Sequence, residues 1–303
     1  MEPNEYLSAV LEDQTLAPKS SELVALEDHR KAVEGIVRKA FPKCSPTIQY
    51  GGSMAKGTMI REAYDLDVIC YFPHDDTSAG ETLKAIYENV AKALEDDYYV
   101  DKKPSALRLR GKDAENYKQD FHIDAVPGRY IDEKGGDAWL YQNGVEGERL
   151  KTNLSTHITH VKGSGVVPAI RLLKLWRYRN GLSIKHFGLE LLVIDLLSSK
   201  TKSGLADQLV HVWTEFRDRS AKLSIEDPAN PNGNDLSGLL DAGVKATLSA
   251  VAQTTLSILG NSGWEAVFGK LPDPGDKGSR GPEILKRAAA AVATPTKPWT
   301  PSV

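Results

Sequence analysis

Asp65 and Asp67 stand two residues apart in Asp65-Leu66-Asp67-Val68-Ile69-Cys70-Tyr71-Phe72. Period-two alternation puts both carboxylates on one face of a strand and Leu66, Val68, Cys70 and Phe72 on the other. Like charges so placed repel unless a cation lies between them, and hard oxygen donors suit Mg²⁺. Just upstream, Tyr50-Gly51-Gly52-Ser53-Met54-Ala55-Lys56-Gly57-Thr58 reads as a tight turn whose backbone N–H groups and hydroxyl can close round an anion. A phosphate cradle beside paired carboxylates implies metal-assisted transfer of a nucleotidyl or phosphoryl group.

A further carboxylate comes from Asp120-Phe121-His122-Ile123-Asp124-Ala125-Val126-Pro127. Here Asp120, His122 and Asp124 share one strand face with Val126, opposite Phe121, Ile123 and Ala125. A carboxylate in so apolar a strand needs a partner, because burying it alone costs several kcal/mol. Asp120 and Asp124 both qualify by alternation, and His122 is either a substrate contact or a satisfied structural histidine. Arg108 and Arg110, alternating with Leu107 and Leu109, read as a solvated strand face. His74-Asp75-Asp76, in a segment rich in turn formers, reads as a loop rather than a metal cluster.

Gly51-Gly52-Ser53, Lys56-Gly57-Thr58 and an Asp-x-Asp beginning twelve positions after the serine together resemble the signature of the polymerase-beta-like nucleotidyltransferases. The likeness is greatest to the oligoadenylate synthetase and cGAS/DncV-like (CD-NTase) branch. It implies an α/β fold, with a nucleotidyltransferase sheet and a helical C-terminal lobe that close on a cleft. By resemblance Asp65, Asp67 and Asp124 are the catalytic carboxylates holding two Mg²⁺ ions (or Mn²⁺), and Ile123-Asp124-Ala125-Val126-Pro127 carries the third one's context. Gly52, Ser53 and Lys56 take the cradle's place at the donor phosphates. Arg171-Leu172-Leu173-Lys174-Leu175-Trp176 matches the pattern that supplies a lysine, here Lys174, to the triphosphate. Phe187-Gly188-Leu189-Glu190-Leu191-Leu192 matches an element whose aromatic ring stacks on the donor base, so Phe187 is either that ring or a core phenylalanine. Glu190 reads as a buried ionic contact and not as a base. Asp227-Pro228-Ala229-Asn230-Pro231 resembles a loop of the oligoadenylate synthetases and adds Asp227 to the nucleotide-binding set. The likeness covers roughly residues 25–270.

What the resemblance implies is an enzyme making a cyclic or linear oligonucleotide second messenger from NTPs, ATP among them, in bacterial antiphage signalling, with regulatory proteins of a defence operon as partners. Its rivals are a transferase acting on tRNA, protein or a small hydroxyl compound, and a catalytically silent nucleotide or RNA sensor.

The remaining sequence must position these residues. The chain has 303 residues, 41% hydrophobic, enough for two modest domains. Its 38 basic and 41 acidic residues give a formal net charge of −3, so no broad positive field advertises a nucleic-acid surface, and no nucleic acid is expected to be required. Cys44 and Cys70 read as reduced core thiols. The opening Met1-Glu2-Pro3-Asn4-Glu5 lacks a signal-peptide pattern, and no run of eighteen apolar residues occurs, so no membrane association and a cytoplasmic location are expected. Residues 1–155 read as the catalytic core, opening with a helix over 20–41 capped by Ser20 or Ser21. Residues 156–270 read as the helical lobe, in which Arg171, Lys174, Arg177 and Tyr178 share a face of one helix. Residues 271–303 read as linker, short helix and proline-rich tail.

Overall fold

A computed structural model describes residues 1–112, 123–144 and 149–272. Asp120, Phe121, His122 and the tail beyond 272 lie outside the described residues, so the expectations placed on them are not addressed.

Among the described residues seven strands form one mixed sheet: β1 (Thr47–Tyr50), β2 (Leu66–Phe72), β3 (Tyr98–Lys102), β4 (Leu107–Gly111), β5 (Ile123–Tyr130), β6 (Ala138–Tyr141) and β7 (Arg149–Thr152). The order is β1-β2-β5-β4-β3, and only β2 and β5 run parallel among these neighbours. β5 is long enough to serve two partners: Ile123 to Ala125 pair with β4, and Gly128 to Tyr130 pair with β6, which carries β7 on its far side. One face is covered by α2 (Ser21–Ala40) and α4 (Leu83–Leu94). Leu26, Val33 and Val37 of α2 meet Leu66, Val68, Cys70 and Phe72 of β2 in a single buried cluster. Those are the residues that alternation assigns to the inner face, which leaves Asp67 on the other. Ser20 caps α2, its hydroxyl accepting from the Leu23 N–H. Cys44 and Cys70 are buried free thiols, as expected of core residues.

The helical half contains α5 (Leu154–Lys162), α6 (Val167–Arg179), α7 (His186–Leu196), α8 (Leu205–Arg219), α9 (Ala242–Ser262) and α10 (Trp264–Phe268). Trp176, Trp213, Phe216, Trp264 and Phe268 interlock in its core, and the Trp176 indole N–H donates to Thr255 Oγ1 at 2.8 Å. The first helix, α1 (Pro3–Asp13), was not foreseen. Its Tyr6, Leu7 and Val10 are buried in this same cluster, so the first residues pack with the helical half and not with the sheet that follows them. An eleven-residue amphipathic segment is marginal alone and gains its stability from that docking.

α6 departs from the expected amphipathic pattern. From Ala169 to Trp176 every residue but Arg171 is buried, because the helix lies at the centre of the lobe. The stripe expected to hold its polar residues faces the cradle segment: Arg171 Nε donates to the Met59 carbonyl at 3.1 Å, and an Arg171 terminal nitrogen donates to Thr15 Oγ1 at 2.7 Å.

Candidate active site

The glycine turn is a left-handed entry into a five-residue helix, α3 (Gly52–Lys56). Gly52 has φ +52°, and a Cβ there would lie 1.5 Å from Asp67 Oδ2. The Gly51 N–H donates to the Asp67 carbonyl at 2.8 Å, and a Cβ on Gly51 would meet the Ile69 side chain at 2.7 Å. Gly52 is therefore needed to lay the turn directly on the carboxylate strand, since its positive φ strains any side chain, whereas a Cβ on Gly51 would require the Ile69 side chain to shift. Ser53 follows in the first turn of α3, half-buried, where helical N–H groups lack intrahelical partners.

Parallel pairing of β2 and β5 sets Asp67 directly beside Asp124, and antiparallel pairing of β4 and β5 sets Arg108 directly beside Asp124. Paired residues point to one face, so Arg108, Asp124 and Asp67 form a row across three strands. Asp65 precedes β2 by one residue. Burial first, and then the charges of Asp124 and Asp65, push the Asp67 carboxyl up to about 6, against the opposing pull of Lys56 and Lys174. Because neighbouring carboxylates supply part of that rise, a cation between them would favour the ionised form. The donor set of hard oxygens fits Mg²⁺ chemically. As the side chains stand, however, no three His, Cys, Asp or Glu side chains among the described residues converge on one metal position. One reason is visible at Asp124, both of whose oxygens are taken by Arg108, with Nε to Oδ1 at 2.9 Å and a terminal nitrogen to Oδ2 at 2.8 Å. The expectation of a solvated Arg108 is thereby corrected: its side chain is 30% exposed and engaged with a site carboxylate.

Lys174, expected at the triphosphate, is 2% exposed. Its ammonium donates to Thr58 Oγ1 at 2.8 Å and pairs with Glu190 Oε1 at 2.6 Å. Glu190 is fully buried, also accepts from Thr58 Oγ1 at 2.6 Å, and forms a second ion pair with Lys56. Burial works against the Glu190 carboxylate, yet Lys174 and Lys56 overcome it and hold its pKa at about 2. This cluster joins α3 and Thr58, two residues beyond it, to α6 and α7. The reading of Glu190 as a buried ionic contact matches this geometry. Lys174 backs the cradle from beneath, since an ammonium this deep is stable only with the carboxylate beside it.

Phe187 is half-buried and belongs to none of the hydrophobic clusters. One neighbour is the Lys56 ammonium, 5.4 Å from its ring centre, and another is the His157 ring at 4.8 Å. Asp227, expected to meet nucleotide, is 3% exposed and fully engaged by the protein. It takes hydrogen bonds from the Ala229 N–H at 2.9 Å and Asn234 Nδ2 at 2.6 Å, and lies 2.7 Å from His157 Nε2. The reason is local: the proline-fixed turn folds its own backbone round the carboxylate, which also holds His157. His157 was missed, since a histidine in a polar helical stretch gives no signal until the 227–234 loop lies against it. A shallow recess of about 440 Å³, lined by Ser155, Thr156, Thr159, His160 and Pro228, opens beside this pair.

A glycine turn laid on a carboxylate strand, that strand parallel to a second carboxylate strand, and a helical lobe ion-paired to the turn define the polymerase-beta-like nucleotidyltransferase fold. Within it the chain has the fold of the cGAS/DncV-like nucleotidyltransferases. In structure it is similar to the Escherichia coli MS115-1 CdnC in a CdnC:HORMA-deltaN complex, with TM-score 0.65 and 19% identity over 89% of this chain and 98% of that one. It is similar too to the Bradyrhizobium diazoefficiens CD-NTase CdnG in complex with GTP, with TM-score 0.65 and 14% identity over 97% of this chain and 100% of that one. In sequence it is 24% identical over 169 residues to a CBASS oligonucleotide cyclase CdnC of Escherichia coli strain KTE188, a match to 50% of this chain. The matched part spans 51%, about half, of that curated relative's length. No family model matches the chain.

Proposed function

We propose that this chain is an Mg²⁺-dependent nucleotidyltransferase that condenses NTPs into a cyclic or linear oligonucleotide messenger, as a cytoplasmic enzyme of bacterial antiphage defence. The observation that carries the reading is the cross-strand pair Asp67 and Asp124 set against a glycine turn whose left-handed Gly52 lies directly on the Asp67 carboxylate. Asp65, Asp67 and Asp124 would hold two Mg²⁺ ions, which when bound neutralise charge developing on the transferred phosphoryl group and lower the pKa of a bound hydroxyl. The first-turn N–H groups of α3 and the Ser53 hydroxyl would take donor phosphate oxygens. Lys56 and Lys174, two ammonium groups against the single Glu190 carboxylate, leave positive charge beneath the cradle that a triphosphate would offset. The similar CdnG is described with GTP and the similar CdnC with a HORMA protein, which supports NTP substrates and a protein regulator here.

The test is incubation of the purified protein with all four NTPs and Mg²⁺, with and without long double-stranded RNA at physiological salt, read by chromatography and mass spectrometry. The expected result is an oligonucleotide product without RNA or any other acceptor, in keeping with the net charge of −3. Transfer seen only when tRNA or protein is added would move the reading to an acceptor-modifying enzyme, and strict dependence on RNA would make it an RNA-activated one.

Phe187→Ala separates base stacking from core packing. Because the ring lies outside the hydrophobic clusters, the expected result is weaker NTP binding by about 1–3 kcal/mol with little change in melting temperature. Calorimetric titration with a non-hydrolysable ATP analogue and a thermal melt measure both. A lowered melt with unchanged affinity would return Phe187 to the core.

A further inference from the structure

We infer that Arg108 is a positioning residue that stands in for the cation at Asp124, and that it competes with metal for that carboxylate. The inference rests on the proposed role of Asp124 as a metal ligand. Arg108 and Asp124 are register partners on β4 and β5, and Asp124 is the register partner of Asp67 on β2. The row therefore reads positive, negative, negative across three strands, with the guanidinium at one end. Its two-pronged contact uses both Asp124 oxygens, at 2.9 and 2.8 Å. Such a fork matches a carboxylate in shape as well as charge, so it holds the group more firmly than a lysine at the same place. Leu107 and Leu109, on the opposite face of β4, are buried in the sheet core and fix the strand that carries Arg108. The arginine thus cannot leave by strand movement, although its partly exposed side chain can swing.

Two consequences follow for the metal-free protein. Asp124 is held in place with no cation bound, both its oxygens occupied by the guanidinium, which spares the sheet an uncompensated carboxylate. A cation arriving at Asp124 has to take an oxygen from a guanidinium, so loading of this carboxylate is weakened relative to loading at Asp67 and Asp65. Arg108 then acts as a threshold: the second cation position binds weakly by itself and fills more readily when further negative charge, such as a triphosphate, enters the site.

The experiment is a Mn²⁺ titration of the full chain without nucleotide, followed by electron paramagnetic resonance of the free ion, so that binding is read independently of turnover. Wild type is expected to show a tighter and a weaker class of site. Arg108→Ala should tighten the weaker class by about tenfold or more, the low end of couplings between close charge pairs. Arg108→Lys, which keeps the charge without the fork, should fall between the two. Asp124→Asn should remove the weaker class, and in its background Arg108→Ala should change nothing. If Arg108→Ala does not fold, Arg108→Gln, of similar length and uncharged, is read in its place with the same expected direction. Weaker-class binding that is unchanged or loosened in the arginine variants, while Asp124→Asn removes it, overturns this inference and leaves the metal site standing. Mn²⁺ binding that is insensitive to Asp124→Asn overturns the metal reading of Asp124 itself.

Discussion

Asp67→Asn is expected to abolish nucleotide condensation and, in the metal-free protein near pH 7.5, to raise the melting temperature. Loss of one carboxylate removes charge stabilisation at the reacting phosphorus, and the expected fall in turnover is at least about 10³-fold. The stability change has the opposite sign for a reason internal to the site. In the folded chain the Asp67 carboxyl titrates at about 6, against an ordinary value of 3.8, because burial and then the neighbouring Asp124 and Asp65 disfavour its charge. Between those two pH values the folded chain keeps a proton that the unfolded chain has lost, so stability falls as pH rises through this window. Above it the ionised group is a standing cost, on the order of 1–3 kcal/mol. Asparagine removes that cost, and the gain should vanish below about pH 4, where both chains are neutral at this position. Adding Mg²⁺ should close the gap from the wild-type side, because a cation favours the ionised form. Thermal melts from pH 4 to 8, with and without Mg²⁺, run beside the NTP assay, check the two effects separately. Retained turnover in Asp65→Asn/Asp67→Asn would end the metal proposal. A melt that falls on substitution would mean that Asp67 is already compensated within the metal-free fold.

Much of this site is legible in the sequence because the signals are local. Gly51, Gly52 and the alternation from Asp65 to Phe72 lie on one continuous stretch, and strand periodicity alone assigns Asp67 and Val68 to opposite faces. Asp124 is legible for a similar reason, although only pairing of β2 with β5 brings it beside Asp67. What escaped is what depends on a partner far along the chain. Arg108 looks solvated until β5 is laid next to β4. Asp227 looks available until His157 and Asn234 close on it. Lys174 is legible through its motif, but its burial against Thr58 and Glu190 is not, because those partners come from the cradle segment and from α7. The helix α1 carries a weak apolar stripe, whose docking site is built from segments more than 150 residues later.

Glu190→Ala is the substitution expected to cost the fold most among the site residues, because among the described residues Glu190 is the carboxylate ion-paired with both buried ammonium groups. Its side chain is fully buried, and the Lys56 and Lys174 side chains it pairs with are 11% and 2% exposed. Removing one member of a buried ionic cluster leaves the others charged without compensation, at a cost of about 3–5 kcal/mol, whereas a surface pair is worth under about 1 kcal/mol. The pH dependence follows from the direction of each shift. The Glu190 carboxyl is held at about 2, below its ordinary 4.5, so its contribution is complete above 4.5 and is lost as pH falls towards 2. The deficit of the variant should therefore shrink on acidification through that window. Lys174 is already pushed down by burial, with Glu190 opposing the shift, so without Glu190 it should release its proton more readily. The deficit should then also narrow as pH rises into the alkaline range. Urea unfolding of wild type, Glu190→Ala and Glu190→Gln across this span measures both arms. Glu190→Gln keeps the length and some hydrogen bonds of the native side chain, and its deficit should be smaller in size with the same shape against pH. A deficit under about 1 kcal/mol that does not vary with pH would mean that water or side-chain rearrangement solvates the two lysines. Glu190 would then not be what fastens the cradle helix to the helical lobe.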